Sequence, residues 1–491
     1  MSAAPSPTLP VAVIGAGPVG LAAAAHLLAR DLEPIVFEAG PEPASAVSAW
    51  GHIRLFSPWR YDIDPAARAL LERTGWTEPD LDHLPTGAEL VADYLAPLAA
   101  TPELRARIRT GSRVVAVSRD SLDRTRGRNR ETTPFLVRVE DERGALTDHR
   151  VRAVIDASGT WSTPNPLGQA GLPAFGEDAA RTAGSVTSPL PDVLGRDRAE
   201  FADRHVLVVG AGHSAANTLL ALAELRAAAP RTQISWAIRS ASPESVYGGE
   251  HRDGLPARGA LGSRLRSLVD GGAIDLHTEF TITALDSNGL LTVHADTPAG
   301  PVAPDVDRVV PTTGFRPDLS MLREIRLDLD PVVEAPRELG PLIDPEFHSC
   351  GTVPPHGAAL LAHPDPDFYI VGMKSYGRAP TFLMATGYEQ VRSIAAALAG
   401  DRDAAERVEL VLPETGVCSA DLGTADDADG GGAGCCAPAG SSAPAPASAD
   451  DGGCCAPAAD PCCSPSGSPR PVTLGIHTGT AHGRSAERAD A

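Results

Sequence analysis

The chain carries a glycine-rich segment, GAGPVG, whose residue types and spacing fit phosphate binding. It places Gly15, Gly17 and Gly20 directly after an apolar run and at the start of a helical pattern. In such a loop the first glycine permits a tight turn, the second lets the backbone approach a pyrophosphate, and the third allows close helix–strand packing. The free N–H groups and positive end of the helix bind the phosphates, so we predict a dinucleotide site here.

An acidic residue follows where a dinucleotide fold needs one. The second apolar run, EPIVFE, ends on Glu38, about 20 residues beyond the loop. A carboxylate at this position accepts hydrogen bonds from ribose hydroxyls. Strand, glycines, helix, strand and acid therefore follow the order of a βαβ dinucleotide unit. The loop alone does not distinguish FAD from NAD.

A second segment, VLVVGAGHSAAN, repeats the pattern in its GxGxxA variant. It also follows an apolar run and opens a helical pattern, so the same physical reasoning applies to it. We predict that its loop residues bind a second dinucleotide: Gly210, Gly212, His213, Ser214 and Ala215.

The residue that ends the strand after each loop differs in charge between the two units. The first unit has Glu38, whereas the second has Arg239. A carboxylate favours a free ribose 2′-OH, and a guanidinium favours a 2′-phosphate, which it binds in bidentate fashion. We therefore predict NADPH rather than NADH, with Ser240 and Ser242 as further donors. The alternative is that Arg239 is an ordinary surface residue.

These sites require strands and helices at particular places in the chain. Val11–Ile14 and EPIVFE are typical of buried strands on either side of a helix. Residues 111–156 indicate several strands with turns, and the arginine-rich stretch 119–130 is expected to be a solvated hairpin loop. Strand-like segments recur at 273–297 and 307–311. DFYIVG and ATGYEQVRSIAAALAG predict a last strand and a closing helix.

The two βαβ units lie far apart, which favours one domain inserted into another. We predict an α/β protein with two Rossmann-like domains, the second inserted in the first. The predicted parts are an FAD-binding domain split between 1–165 and 310–412, a linker at 166–199, an NAD(P)H-binding domain at 200–309, and a low-complexity, disordered tail at 413–491. In flavoenzymes with two such domains, hydride passes from NADPH to the flavin.

Two further stretches resemble the paired crossovers that join the FAD and NAD(P) domains in the flavin-containing monooxygenase and thioredoxin-reductase-like superfamily. They are VIDASGTWSTPNP (Val154–Pro166) and RVVPTTGFRPD (Arg308–Asp318). The resemblance implies that Gly159, on the FAD side, and Gly314, on the NADPH side, are the tight crossover points.

A third stretch, DFYIVGMKSYGRAPTFLMATGYEQ, resembles the family segment that lays a backbone N–H and a helix N-terminus on the flavin. Gly372 and Met373 would contact FAD, but Gly372-Met373-Lys374 replaces the usual Gly-Asp. WGHIRLFSPWRYDID and GAGHSAAN resemble a bacterial branch of flavoprotein monooxygenases from arsenic-resistance operons. The monooxygenase fingerprint FxGxxxHxxx(Y/F) is incomplete, because no histidine follows Phe175-Gly176 at a matching spacing.

The sequence offers few candidates for catalytic side chains. His52 and Arg54 follow Glu38 closely and are candidates for contact with the flavin edge or the substrate, as is Lys374; the alternative is a structural role for all three. No cysteine precedes Cys350, so the folded body lacks the redox thiol pair of a disulfide reductase. Reduced flavin would then pass its electrons to dioxygen or directly to a small bound substrate.

The C-terminal tail contains three adjacent thiol pairs. Thiolates are soft ligands that select soft metals or metalloids, such as trivalent arsenic, mercury or copper(I). We therefore predict metal binding, against the alternative of incidental cysteines in a low-complexity tail, by the following residues: Cys435, Cys436, Cys454, Cys455, Cys462 and Cys463.

The bulk composition excludes several classes of partner. The formal net charge of −21 argues against nucleic acid and anionic membrane surfaces. No apolar run approaches the roughly 18 residues needed to span a bilayer, and we expect a cytoplasmic protein. The favoured function is a monooxygenase-type oxidoreductase that uses FAD, NADPH and dioxygen. The alternatives are an NADPH-dependent metal-ion reductase and a metal-binding or redox-sensing protein with vestigial nucleotide sites.

Overall fold

The computed structural model describes residues 9–248, 256–287, 289–345, 353–379 and 382–410. All eight cysteines lie outside these ranges. The predicted thiol tail at 413–491 therefore falls outside the described residues, together with its metal-binding candidates Cys435, Cys436, Cys454, Cys455, Cys462 and Cys463.

The strands of the described ranges are, in chain order, β1 (Val11–Ile14), β2 (Pro34–Phe37), β3 (Ile108–Arg109), β4 (Ser112–Arg119), β5 (Phe135–Asp141), β6 (Leu146–Val151), β7 (Ala153–Asp156), β8 (His205–Val209), β9 (Gln233–Ala237), β10 (Asp275–His277), β11 (Thr281–Asp286), β12 (Leu291–Thr297), β13 (Gly300–Val302), β14 (Asp305–Val306), β15 (Arg308–Pro311) and β16 (Phe368–Ile370).

The α-helices are α1 (Pro18–Leu28), α2 (Ser45–Ala49), α3 (Pro65–Leu71), α4 (Gly87–Glu89), α5 (Ala96–Ala99), α6 (Pro102–Arg105), α7 (Glu177–Thr182), α8 (Arg198–Phe201), α9 (His213–Ala228), α10 (Glu244–Tyr247), α11 (Pro256–Asp270), α12 (Gly340–Ile343), α13 (Met384–Leu398) and α14 (Arg402–Glu406). A π-helical stretch, Leu90–Leu95, joins α4 to α5. Single 3₁₀ turns include Trp59–Tyr61 and Gly372–Tyr376.

A parallel sheet in the order β16-β7-β1-β2-β3 forms the first nucleotide-binding unit. All four residues of β1 are buried, as expected for a central strand covered on both faces. Val13 pairs with Val36 on one side and with Ile155 on the other. The alanine-rich helix α1 has small buried side chains, which allow it to pack closely against α13 and the sheet.

A second parallel sheet, in the order β10-β9-β8-β15, forms the second unit. All its strands come from the chain between β7 and β16, which pair with each other in the first sheet through Phe368 and Val154. The second sheet is therefore inserted in the first. Its last strand, β15, includes residue 309. The predicted domain boundaries all stay predictions.

Two antiparallel sheets accompany the parallel ones in the described ranges. The strands β4, β5 and β6 form a meander inserted between β3 and β7. The strands β11, β12 and β13 form the other, in which β14 also pairs with β12. The α/β fold class is confirmed. Within the described ranges no helix is both long and apolar enough to cross a membrane.

The arginine-rich stretch 119–130 differs from the expectation of a solvated loop at both of its ends. Arg119 and Arg130 are buried, and Arg130 binds the fully buried Asp365 through two hydrogen bonds of 2.7 and 2.8 Å. Arg119 also stacks on Phe135, 3.6 Å from the ring centroid. Burial opposes the ionisation of Asp365, but hydrogen bonds from Arg130 and from the Arg326 N–H outweigh it and lower its pKa. The expectation fails because the partner carboxylate lies 235 residues further along the chain than Arg130.

Candidate functional site

The first glycine loop lies between β1 and α1, and its three glycines do different things. Gly15 has a φ of +96°, and a side-chain carbon there would lie 2.8 Å from the Ala157 carbonyl oxygen. A side-chain carbon on Gly20 would overlap the Gly15 carbonyl oxygen. At Gly17 no described atom beyond the chain neighbours and the adjoining helix backbone lies within 4 Å of the corresponding position. The first and third glycines are therefore required by the fold, whereas the second leaves the space that a pyrophosphate needs.

The polar groups around this loop are suited to a dinucleotide. In the described structure the N-terminus of α1 has no capping side chain and no acidic residue in its first turn, so its N–H groups face the open space unneutralised. Glu38 accepts 2.8 Å hydrogen bonds from the N–H groups of Ala16 and Gly40, one on each carboxylate oxygen. A carboxylate has about four acceptor positions, so Glu38 retains capacity for ribose hydroxyls.

The second glycine loop repeats this geometry between β8 and α9. Gly210 has a φ of +134°, and a side-chain carbon there would overlap the Thr312 carbonyl oxygen. Gly212, by contrast, has no atom of the described ranges within 4 Å of that position. Within those ranges the N-terminus of α9 also has no capping side chain and no acidic residue in its first turn.

The other predicted residues of the second loop surround this opening. His213 is exposed as the first residue of α9, and Ala215 is buried against the sheet. Ser214 is half-buried, and its carbonyl accepts a hydrogen bond from the Thr218 hydroxyl. In both loops, therefore, the backbone leaves room for a dinucleotide phosphate.

Arg239 follows the carboxyl end of β9, the edge of the second sheet at which the glycine loop lies. Its side chain is exposed, and within the described ranges no carboxylate forms an ion pair with it. Ser240 donates its hydroxyl to the Ser242 carbonyl at 2.9 Å. The guanidinium is thus available to an anionic ligand at this edge.

The two crossover segments lie together as the resemblance implies. Asn165 donates its N–H to the Gly314 carbonyl at 2.9 Å, and the Thr313 hydroxyl donates to the Asn165 carbonyl at 2.7 Å. Gly159 and Gly314 both have positive φ, +68° and +83°, as tight turns require. The inserted unit is therefore entered and left through one antiparallel pair of segments.

Lys374 is buried, although it was a candidate for contact with the flavin or substrate. Its ammonium donates to Asp156 at 2.7 Å and to the Ser158 hydroxyl at 3.1 Å. Lys374 is 2% exposed and Asp156 is fully buried. The pair links the turn after β16 to the end of β7, so this lysine holds two strand ends together. Met373, beside it, is half-buried.

Gly372 is held by a buried amide that the sequence did not single out. Its N–H donates to the Gln390 side-chain oxygen at 2.8 Å. The Gln390 amide nitrogen lies 2.9 Å from both the Ser375 hydroxyl and the His356 ring. No motif marks Gln390, because its role depends on a partner 18 residues earlier that is reached only through the fold.

His52 and Arg54 are both exposed. Arg54 donates to the Leu84 carbonyl and lies 4.0 Å from a Glu89 carboxylate oxygen. Among the described residues no hydrogen bond joins His52 or Arg54 to Lys374. The structure therefore does not bring the three candidate catalytic residues together, and their catalytic roles stay predictions.

Asp62 is a buried acid that the sequence analysis missed. It is fully buried, accepts a 2.7 Å hydrogen bond from the Ser57 hydroxyl on Oδ1, and has no partner for Oδ2 among the described residues. Burial raises its pKa to about 7, against a smaller opposing effect of the Ser57 hydrogen bond. The Tyr388 hydroxyl donates to the Asp62 main-chain carbonyl at 2.8 Å.

One parallel sheet inserted in another, each with an open glycine loop, defines the fold of the two-dinucleotide-binding flavoproteins. Residues 10–88 match the family model described as FAD dependent oxidoreductase. This match confirms the prediction of an FAD-dependent oxidoreductase. FAD is the cofactor that this match supports, and the nicotinamide dinucleotide and the resemblance to the arsenic-operon branch stay predictions.

Solved structures with similar folds include a disulfide reductase and a hydroxylase. Bacillithiol disulfide reductase from Bacillus cereus is 18% identical with a TM-score of 0.59, and the match covers 80% of this chain and 99% of that one. Ornithine hydroxylase from Pseudomonas aeruginosa is 14% identical with a TM-score of 0.54, and the match covers 80% of this chain and 99% of that one. No curated protein matches the chain. At these identities the likeness concerns the fold alone.

The glycine geometry predicts different outcomes for two alanine substitutions in the first loop. Gly17→Ala should fold normally, because its new methyl group meets no described protein atom, but should reduce FAD affinity about tenfold by obstructing the pyrophosphate. Gly20→Ala should destabilise the protein itself, because its methyl group would overlap the Gly15 oxygen. The FAD content of the purified proteins and their thermal unfolding measure the two effects. Normal FAD affinity in Gly17→Ala would contradict the assignment of this loop.

The buried Asp62 predicts a pH-dependent stability. An aspartate in the unfolded chain titrates near pH 4, so between about pH 4 and pH 7 the folded protein keeps a proton that the unfolded chain releases. Stability from this group is therefore present below about pH 4, falls as the pH rises, and is lost above about pH 7. Asp62→Asn should remove this dependence.

Thermal unfolding of Asp62→Asn and wild type across this pH range measures the effect. The advantage of the variant in Tm should grow from about pH 4 to pH 7 and then stay level. Asp93→Asn, an exposed acid nearby in the chain, is the matched control and should show no such trend. A pH-independent difference for Asp62→Asn would contradict the raised pKa.

Proposed function

We propose that the protein is an NADPH-dependent flavoprotein monooxygenase that acts on a small, soft substrate containing sulfur or trivalent arsenic. In the overall reaction NADPH supplies two electrons, one oxygen atom of dioxygen enters the substrate, and the other leaves as water with two protons. The single observation behind this choice is that the chain has no cysteine before Cys350. The body described up to residue 345 thus has no thiol pair through which a flavin could reduce a disulfide.

The described residues fit the binding of both cofactors. FAD, when bound, supplies the transfer of electrons from NADPH to the acceptor. The N-terminus of α1 would bind its pyrophosphate, and Glu38 would accept from its ribose. The buried Lys374–Asp156 pair would fix the turn at Gly372 against the end of β7, with no direct contact with the reacting atoms.

The second loop and Arg239 would bind NADPH. Gly212 and the N-terminus of α9 would hold the pyrophosphate, and Arg239 would bind the 2′-phosphate from the neighbouring strand end. What supports this proposal is an exposed guanidinium that no described carboxylate neutralises.

The thiol pairs of the tail would bind ions of the same soft class as the proposed substrate. Cys435-Cys436, Cys454-Cys455 and Cys462-Cys463 would bind a soft metal or metalloid through their thiolates. Several pairs on one segment raise the local thiol concentration, so a second pair joins without a new encounter. We place the protein in the cytoplasm, where thiols stay reduced.

Oxygen consumption tests the reaction type. With NADPH and either arsenite or a small thiol, the FAD-loaded protein should consume one dioxygen per substrate oxidised. Turnover of the same substrates should stop without oxygen, because dioxygen is the electron acceptor. Substrate-dependent NADPH oxidation under anaerobic conditions, with metal ions as acceptors, would instead identify a metal-ion reductase.

A variant with all six paired cysteines changed to serine separates the tail from the catalytic body. It should oxidise NADPH with the small thiol at the wild-type rate but bind arsenite or mercury more weakly, because the soft ligands are gone. Unchanged binding of both ions would remove the proposed role of the tail and leave the oxygenase proposal intact.

The charge at Arg239 predicts the choice of nicotinamide cofactor. Arg239→Glu should lower kcat/KM for NADPH relative to NADH about ten- to hundredfold, since it replaces a charge-assisted contact with repulsion. Steady-state kinetics with both cofactors measure this ratio. Arg231→Glu, before the opposite end of β9, is the matched control and should leave the ratio unchanged. An unaltered ratio in Arg239→Glu would refute the assignment.

A further inference from the structure

The segment from Gly51 to Asp62 reaches from the first nucleotide-binding unit to the second glycine loop. It follows α2 and precedes α3, so it belongs in sequence to the first unit. Its Phe56 ring nevertheless lies 5.1 Å from the ring of His213, centroid to centroid, at an interplanar angle of 57°. Such a tilted aromatic contact is favourable in geometry. His213 is the first residue of α9, directly after Gly212.

Two apolar anchors show that the segment joins the two cores. Phe56 packs against the buried apolar cluster of the second unit. Trp59, three residues later, is 1% exposed and belongs to the core of the first unit. A short stretch of chain is thus fixed to both units at once.

Hydrogen bonds hold the residues on either side of Phe56, one through the backbone and one through a side chain. Leu55 donates its N–H to the Pro85 carbonyl at 2.8 Å, and the Ser57 hydroxyl donates to Asp62 at 2.7 Å. The ring is therefore presented to His213 by a backbone that is already ordered, which reduces the entropy lost when a ligand binds beside it.

The Phe56 ring flanks the phosphate space and leaves it open. Beyond its chain neighbours and the adjoining helix backbone, no described atom lies within 4 Å of the position that a side chain on Gly212 would take, although Phe56 lies against the adjacent residue. A ring that filled the space would have to be displaced by the cofactor. A ring beside it instead shields the phosphate contacts from water and strengthens them.

We infer that Phe56 is a positioning residue for the nicotinamide dinucleotide, held by the first unit against His213 at the second glycine loop. The inference rests on the proposed function, since it requires that this loop binds NADPH. It adds a specific role for a residue of the flavin-binding unit. Removing the ring should weaken dinucleotide binding without disturbing the first loop.

The test is the Kd of NADP⁺ for FAD-loaded Phe56→Ala, measured by calorimetry, together with the KM for NADPH. Both constants should rise about three- to tenfold, because without the ring the ligand must order the loop itself. FAD content and kcat at saturating NADPH should stay near wild type, which a general structural defect would not allow. Phe175→Ala is the matched control, because Phe175 is 84% exposed, and it should bind NADP⁺ normally.

A second variant and a double mutant keep the test decisive. Phe56→Tyr should restore binding, because it keeps the aromatic ring, even if Phe56→Ala proves unstable. The losses in Phe56→Ala and His213→Ala should be less than additive in the double mutant, since each removes the same contact. Unchanged NADP⁺ affinity in Phe56→Ala, or full additivity, would overturn the inference. Failure of the wild type to bind NADP⁺ would instead overturn the proposed function on which it rests.

Discussion

The close approach of each glycine loop to the backbone behind it is the constraint on which the rest of the structure depends. Gly15 faces Ala157, the residue after β7, and Gly210 faces Thr312, the residue after β15. Each loop therefore turns against the end of the neighbouring parallel strand. Those same strand ends begin the two crossover segments, so one geometric requirement fixes both the glycine loops and the connection between the units.

The ion pair between Lys374 and Asp156 strengthens the first of these strand ends. Burying two charges is costly unless their geometry and remaining hydrogen bonds are good. Here Asp156 also accepts the Ser158 hydroxyl at 2.6 Å, so the carboxylate is well satisfied. The pair lies beside the segment that backs the first glycine loop. A lysine in this turn therefore acts on the first glycine loop through the position of the backbone.

The sequence alone predicts the features that depend on residues close together in the chain. Both βαβ units and the roles of their glycines follow from short patterns, because each unit is complete within about 30 residues. The buried Arg130–Asp365 and Lys374–Asp156 pairs were not predictable, since their partners lie 235 and 218 residues apart in the chain. Asp62 was missed for a related reason: an acid in a polar stretch gives no sign of burial until the fold brings Tyr388 of α13 against it.

The contacts of Phe56 and Trp59 bear on how the two units are held relative to each other. The side chains of Phe56 and Trp59 pack in the cores of both units, and such packing opposes movement of one unit against the other. If NADPH reduces the flavin as we propose, the two cofactors must come within contact distance. The two units then need either a fixed arrangement or a motion that brings their cofactors together.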